Sequence, residues 1–240
     1  MLYSLNQEEY TGGSMSRKID VLGIKLDDYT AKDAMKVITE FIKEETVNLV
    51  EVVTAESVMR LTQNEPEPSG SDTMDMILPG DRAILEAAEV EDEKLLREAK
   101  RGDFVKLLFQ YLHKNAASIF VLADTMDEAQ SLENYIQKKY KNIRVAGVVA
   151  VPEGTSSDDM IINMINGTEV ECIIASVTSG RQEGFIFRCR NVLNVKLWIG
   201  ISQAERFLEE RDSLVERIFV FLNRKILKKK AIREKKRRNA

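Results

Sequence analysis

The sequence predicts an α/β fold: a mainly parallel sheet covered by helices on both faces. Three observations point there. Strand-like and helix-like segments alternate along the chain. The strand-like segments are near-continuous apolar runs rather than alternating ones, as strands buried on both faces require. A hydrophobic content of 44% over 240 residues is ample for a packed core.

Taken in order, IDVLGIKL (residues 19–26) reads as one strand. The helix TAKDAMKVITEFIKEE follows, with Thr30 and Asp33 at N-cap and N3 spacing. NLVEVVTA (48–55) is a strand rich in β-branched residues, ESVMRLTQ a helical turn, and NEPEPSGSDT an exposed loop marked by Pro, Gly and Ser. MDMILPGD is a short strand and RAILEAAEV opens a helix. DEKLLREAKRGDFVKLLFQYLHKN is helical in period, with a break expected at Arg101-Gly102. SIFVLAD (118–124) is a strand. After Thr125 comes an amphipathic helix whose Ala129, Leu132, Ile136 and Tyr140 share a face. Strand IRVAGVVAV, helix SDDMIINMING, strand EVECIIASV, helix RQEGFIFRCRNVLN and strand VKLWIGI complete the pattern.

Composition removes several classes of chemistry. Cys172 and Cys189 make neither a disulfide framework nor a zinc-site spacing, and read as reduced cytosolic thiols, with Cys172 in the core. The one histidine, His113, has no second histidine or cysteine nearby to share a metal, so it reads as a helix-end residue and no metal site is expected. No apolar run approaches the roughly 20 residues that span a bilayer, and the N-terminus lacks the order of a signal peptide. The expectation is a soluble, cytoplasmic chain. Its net charge of -4 is uneven: residues 224–240 carry +9 and the remainder -13. An acidic body with a basic tail brings only the tail to a polyanion.

In parallel sheets ligands sit beyond the carboxyl ends of the strands. The polar residues there are Thr54, Ala55 and Glu56; Pro79, Gly80, Asp81 and Arg82; Asp124 and Thr125; and the run from Ser176 through Thr178, Ser179, Gly180, Arg181, Gln182 and Glu183. The last run offers hydroxyls, backbone N–H groups and Arg181 to an anion such as a phosphate. Each exit also has a structural reading: Thr, Ser and Asp cap helices, Gly permits a tight turn, and Glu183 answers a helix dipole. No GxGxxG, GxxxxGK[ST] or GxSxG motif is present. The residues alone reach as far as an α/β protein with an anionic small ligand.

The order of the segments IDVLGIKLDDYTAKDAMKVITEFI, VVTAESVM, MDMILPGDRAIL, SIFVLAD and ECIIASVTSGRQEGFIFRCRNVLNVKLWIGI resembles the bacterial WecG/TagA/CpsF family of glycosyltransferases over roughly residues 17–201. The resemblance implies a Rossmann-like fold and an inverting transfer of an N-acetylmannosamine-type sugar from a UDP donor to a polyprenyl-diphosphate-linked acceptor. It implies no obligatory metal or other cofactor, and a place at the inner membrane face. Carried onto this chain, Thr54 matches the site-lining threonine of Val-Thr-Ala-Asn, with Glu56 in place of Asn. Leu-Pro-Asp-Gly appears as Leu78-Pro79-Gly80-Asp81, which makes Asp81 the expected catalytic base. Gly-Ser-Pro-x-Gln-Glu appears as Thr178-Ser179-Gly180-Arg181-Gln182-Glu183, expected to bind the nucleotide, with Gly180 in place of Pro. Arg82, Arg181 or a tail arginine is expected to neutralise the departing diphosphate, and Asp124 to line the site.

The expected organisation is a flexible extension at 1–16, a glycosyltransferase-like domain at 17–202 and a basic helical appendage at 203–240. In the appendage Phe207, Leu208, Leu214, Ile218, Phe221, Leu222 and Ile226 form an apolar stripe beside a basic face, a pattern suited to an anionic membrane surface. The structural alternative is a helix packed on the body. A homo-oligomer is compatible with the sequence. The competing functions are a catalytically weakened relative that binds a nucleotide sugar, and a nucleic-acid-binding protein using the tail, which the acidic body and the lack of a recognised module disfavour.

Overall fold

The run 19–26, expected as one strand, folds back on itself. Leu22 and Gly23 both have positive φ, 56° and 94°, the backbone of a tight hairpin turn. The result is an antiparallel pair, β1 (Lys18–Val21) and β2 (Ile24–Asp27). Periodicity missed the turn because only one of its two residues is glycine. The chain is described from a computed structural model, which covers residues 17–61, 73–178 and 180–201.

The main sheet contains six parallel strands: β3 (Asn48–Val53), β4 (Met76–Pro79), β5 (Ser118–Ala123), β6 (Arg144–Ala150), β7 (Cys172–Ser176) and β8 (Leu197–Ile201). Their spatial order is β4-β3-β8-β7-β5-β6. The helices between them are α1 (Ala31–Phe41), α2 (Ala55–Leu61), α3 (Arg82–Ala87), α4 (Glu93–Arg101), α5 (Asp103–Lys114), α6 (Met126–Lys139), α7 (Asp158–Asn166) and α8 (Arg181–Cys189). The expected break between α4 and α5 is at Gly102, whose φ of 62° ends one helix and starts the next. α8 is shorter than its apolar pattern suggested and gives way to a 3-10 turn at Arg190–Val192.

Both faces of the sheet are apolar, and this drives the layering. Val50, Val52, Leu78, Val121, Ile174 and Ile199 pack under α1, α5 and α6. Leu49, Phe120, Leu122, Ile173 and Trp198 pack under α7 and α8, with Trp198 5.9 Å from the Phe185 ring centre. Each such side chain contributes about 1.5–3 kcal/mol on leaving water. Caps fix where helices begin: Thr30 accepts from Asp33 N (3.3 Å) at α1, and Thr125 and Glu128 form a reciprocal capping box at α6. At the β4 edge, Asp27 accepts from Ile77 N (2.9 Å) and pairs with Lys18 (2.7 Å), docking the hairpin there. His113 is a helix-end residue as expected, its Nδ1 accepting from Asn142 N (3.2 Å). Both cysteines are buried, and burial pushes the Cys189 thiol up to about 11.

After β5 the chain steps outward to β6, whereas after β7 it steps back to β8. Right-handed crossovers in opposite directions send α6 and α8 to opposite faces. The adjacent strands β5 and β7 therefore part at their carboxyl ends, which is the switch point where α/β sheets bind ligands.

Candidate functional site

At that switch point the exits of β5, β6 and β7 meet. Asp124, just past β5, accepts from the backbone N–H of Thr178 (2.9 Å) and from the Thr178 hydroxyl. Arg181, in the first turn of α8, pairs with Asp124 (2.8 Å) and donates from Nη2 to the carbonyl of Val151. Gly180 is the N-cap of α8 with φ 93°, a backbone angle closed to proline. Gly180, where the resemblance leads one to expect proline, therefore gives this turn a path that a proline could not follow. Ser179 lies outside the described residues.

Two further predicted residues of the same run turn into the protein. Gln182 is 1% exposed and donates from Nε2 to Oε2 of Glu51, at the middle of β3. Glu183 accepts the N–H of Gly180, a capping contact, and is buried. Burial pushes the Glu51 carboxyl well above the usual carboxylate range; the nearby Glu183 raises it further, and the Gln182 bond opposes both. Burial likewise raises Glu183, against the backbone hydrogen bonds it accepts. Oε1 of Glu51 and Oε1 of Gln182 are both buried without a hydrogen-bond partner. The pair passes over Gly200 of β8, where an added Cβ would lie 2.7 Å from Cδ of Glu51.

A second cluster forms at the exits of β3 and β4. Thr54 caps α2: its Oγ1 accepts from Ser57 N (3.2 Å) while Thr54 N donates to Ser57 Oγ (2.8 Å). Asp81 is the N-cap of α3, with Oδ1 accepting from Ile84 N (2.9 Å) and Oδ2 from Ala55 N (2.9 Å). One carboxylate thus holds the starts of two helices. Arg82 pairs with Glu86 (3.0 Å) and Glu56 with Arg60 (2.9 Å) along their own helices. Beside Gly80 a small pocket opens between α1, α4 and α5, lined by Tyr29, Leu78, Glu98 and Phe104 among others.

The structure therefore brings Asp124, Gly180 and Arg181 together at one place and Thr54 and Asp81 at another, on the same edge of the sheet. β8 lies between them, and the chain leaves the sheet there, at Ile201. Sequence reasoning did not single out Glu51, Ser57 or Gly200. Glu51 had a signal: an acid in the middle of NLVEVVTA contradicts a strand buried on both faces unless something inside receives it. Among the described residues no three of His, Cys, Asp and Glu are grouped to hold a metal ion.

Together these features define a Rossmann-like α/β protein whose polar residues gather at the carboxyl edge of a parallel sheet. The sequence model of the glycosyl transferase WecG/TagA/CpsF family matches residues 19–218, and the chain belongs to that family. It is also similar to the N-acetylglucosaminyldiphosphoundecaprenol N-acetyl-beta-D-mannosaminyltransferase of Staphylococcus aureus (strain MRSA252). The two are 20% identical over 194 residues, covering 79% of this chain and 74% of the relative. The chain is thus a transferase of sugar residues by family. Of the residues carried over from the resemblance, Thr54, Asp81, Gly180 and Arg181 lie at the carboxyl edge of the sheet, while Gln182 and Glu183 turn inward. No described helix is long and apolar enough to cross a membrane.

Proposed function

We propose that this protein is an inverting glycosyltransferase that moves an N-acetylmannosamine-like sugar from a UDP-sugar to a polyprenyl-diphosphate-linked saccharide in cell-surface polymer biosynthesis. Family membership and the activity named for the staphylococcal relative support the reading. The observation that carries it is the cluster of Asp124, Thr178, Gly180 and Arg181 at the switch point. In this reading the donor diphosphate lies against the first turn of α8, whose N–H dipoles and Arg181 offset its charge. The acceptor hydroxyl oxygen bonds to the anomeric carbon while the bond from that carbon to the diphosphate breaks. Asp81 takes the hydroxyl proton and UDP departs. A positioned base contributes on the order of a hundred- to ten-thousand-fold. No metal or other cofactor has a step in this reading. A lipid-linked acceptor places the enzyme at the inner membrane face, with residues 203–240, which lie outside the described residues, as the contact to anionic lipid.

A second reading, a relative that binds the nucleotide sugar with little turnover, draws on a specific observation. Both oxygens of Asp81 already accept backbone N–H bonds, and the Gln182 side chain is spent in the core. One sequence of measurements separates the two. Thermal shift against UDP and a panel of UDP-sugars identifies the donor, and a turnover assay on a polyprenyl-diphosphate acceptor follows. Stabilisation with turnover supports transfer, stabilisation without turnover supports the second reading, and no response to any UDP-sugar overturns both.

A further inference from the structure

The buried pair of Glu51 and Gln182 ties the start of α8 to the middle of the sheet. Glu51 is in register with Ile77 of β4 on one side and Gly200 of β8 on the other. Its side chain crosses β8 over Gly200, where no Cβ blocks it, and accepts from Nε2 of Gln182. Gln182 follows Arg181, the residue paired with Asp124 (2.8 Å) at the switch point, and the backbone N–H groups of both donate to the Thr178 carbonyl (3.1 and 3.2 Å). A tether on the Gln182 side chain is therefore a tether on the turn that carries Arg181.

The hydrogen bonds of this pair are one donor short. A carboxylate only accepts, whereas an amide has one accepting oxygen beside its NH2. With Glu51 charged, its Oε2 accepts from Gln182, and Oε1 of each residue stays buried with no donor. One proton on Glu51 Oε1 satisfies both atoms: it donates to Gln182 Oε1, and acid and amide close a ring of two hydrogen bonds. The charges on the surrounding elements agree. Arg181 and Arg188 of α8 pair with Asp124 and Asp158, Arg190 pairs with Asp75, and Lys18 of the hairpin pairs with Asp27. The titratable group acting on Glu51 is another acid, Glu183, and burial raises the pKa of both. Glu183 accepts the Gly180 N–H, which suits a carboxylate, so of the two acids Glu51 is the one with an acceptor waiting for its proton.

We propose that Glu51 is a positioning residue for the donor site: as a carboxylic acid it closes this ring with Gln182 and so fixes the first turn of α8, and Arg181 with it. The inference rests on the reading of that turn as the diphosphate site. Loss of the proton opens the ring, sets a second buried negative charge beside Glu183 and frees the turn. Donor binding and the Glu51 proton then favour each other. Affinity is complete while Glu51 holds its proton and declines as pH rises through its raised pKa, by up to about tenfold per pH unit for a single proton.

Calorimetric titration with UDP, from about pH 5 to about pH 9, tests this on the full chain as wild type, Glu51→Gln and Glu51→Leu. Glu51→Gln supplies an amide donor where the acid has its O–H, so the ring survives at every pH and its profile records the titration of UDP alone. The wild-type Kd should rise with pH on the order of tenfold more than that of Glu51→Gln. Glu51→Leu, which leaves Gln182 without its partner, should bind UDP on the order of tenfold more weakly than Glu51→Gln throughout. Protection of the Gln182 and Gly184 amide protons against exchange needs no ligand: it should fall with rising pH in the wild type and hold in Glu51→Gln. Equal UDP profiles in wild type and Glu51→Gln would overturn the proposal, as would full affinity in Glu51→Leu. If no form binds UDP, the diphosphate reading fails and exchange decides the inference: loss of protection confined to the wild type supports the ring, and identical protection overturns it. Should Glu51→Leu fail to fold, the comparison of wild type with Glu51→Gln carries the test alone.

Discussion

Gln182, at the start of α8, donates into the carboxyl group of Glu51 at the centre of β3, and both side chains are almost wholly buried. Burial raises the Glu51 pKa in the folded protein. The folded state therefore holds a proton that the unfolded chain releases near the ordinary carboxylate value. Stability from this group is complete below that ordinary value and declines as pH rises toward the raised folded pKa. Glu183 acts in the same direction. Glu51→Gln is expected to flatten this decline by about 1.4 kcal/mol per pH unit within the window. Denaturant melts of wild type and variant across the acid-to-neutral range read it directly, and identical slopes would show Glu51 to be charged in the fold.

The same pair constrains Gly200. Gly200→Ala should lower stability by about 1–3 kcal/mol, because its methyl group overlaps the Glu51 and Gln182 side chains. In a Glu51→Ala background the penalty should shrink. A double-mutant cycle by thermal melts measures that coupling, and full additivity would mean that the overlap is relieved elsewhere.

Asp81 serves two masters in the site as built: it caps α3 and holds Ala55 at the start of α2. Asp81→Asn keeps one acceptor oxygen for the cap of α3 but sets a donor NH2 against the other N–H, and it is a poor base. The expected outcome is a stability loss of about 1 kcal/mol with turnover of the folded protein reduced on the order of a hundredfold or more. Unchanged turnover would transfer the role of base to another residue. Asp81→Ala, which accepts neither N–H, should lose more stability than Asp81→Asn, about 2 kcal/mol or more.

Placing proline at Gly180, as the resemblance would have it, is expected to damage this chain. A φ of 93° is inaccessible to proline, and the N–H that Glu183 accepts is removed. The loss should be about 3 kcal/mol, with Gly180→Ala costing less, on the order of 1–3 kcal/mol. A proline variant as stable as wild type would mean that the turn adopts another path.

Deleting residues 203–240 tests the membrane contact. Co-sedimentation with vesicles containing anionic lipid should fall sharply in the truncated chain and should weaken with salt in the intact one. Equal binding by both chains would place the contact on the folded body.

The sequence by itself determined the layers. Near-continuous apolar strands alternating with amphipathic helices can bury their surface only in a parallel sheet covered on both faces, and that is the six-stranded sheet observed. It also located the polar exits, since turn chemistry and strand ends are local properties, and the order of its segments carried the family. Tertiary structure decided which exits meet. Asp124 reaches Thr178 and Arg181 because strand order makes β5 and β7 neighbours, a pairing 54 residues apart that no local pattern encodes. It also decided that Gln182 turns inward. An isolated Gln-Glu pair at a helix start reads the same whether it faces a ligand or the core, and only the buried carboxyl of Glu51, 131 residues away, supplies the partner that makes the inward position favourable.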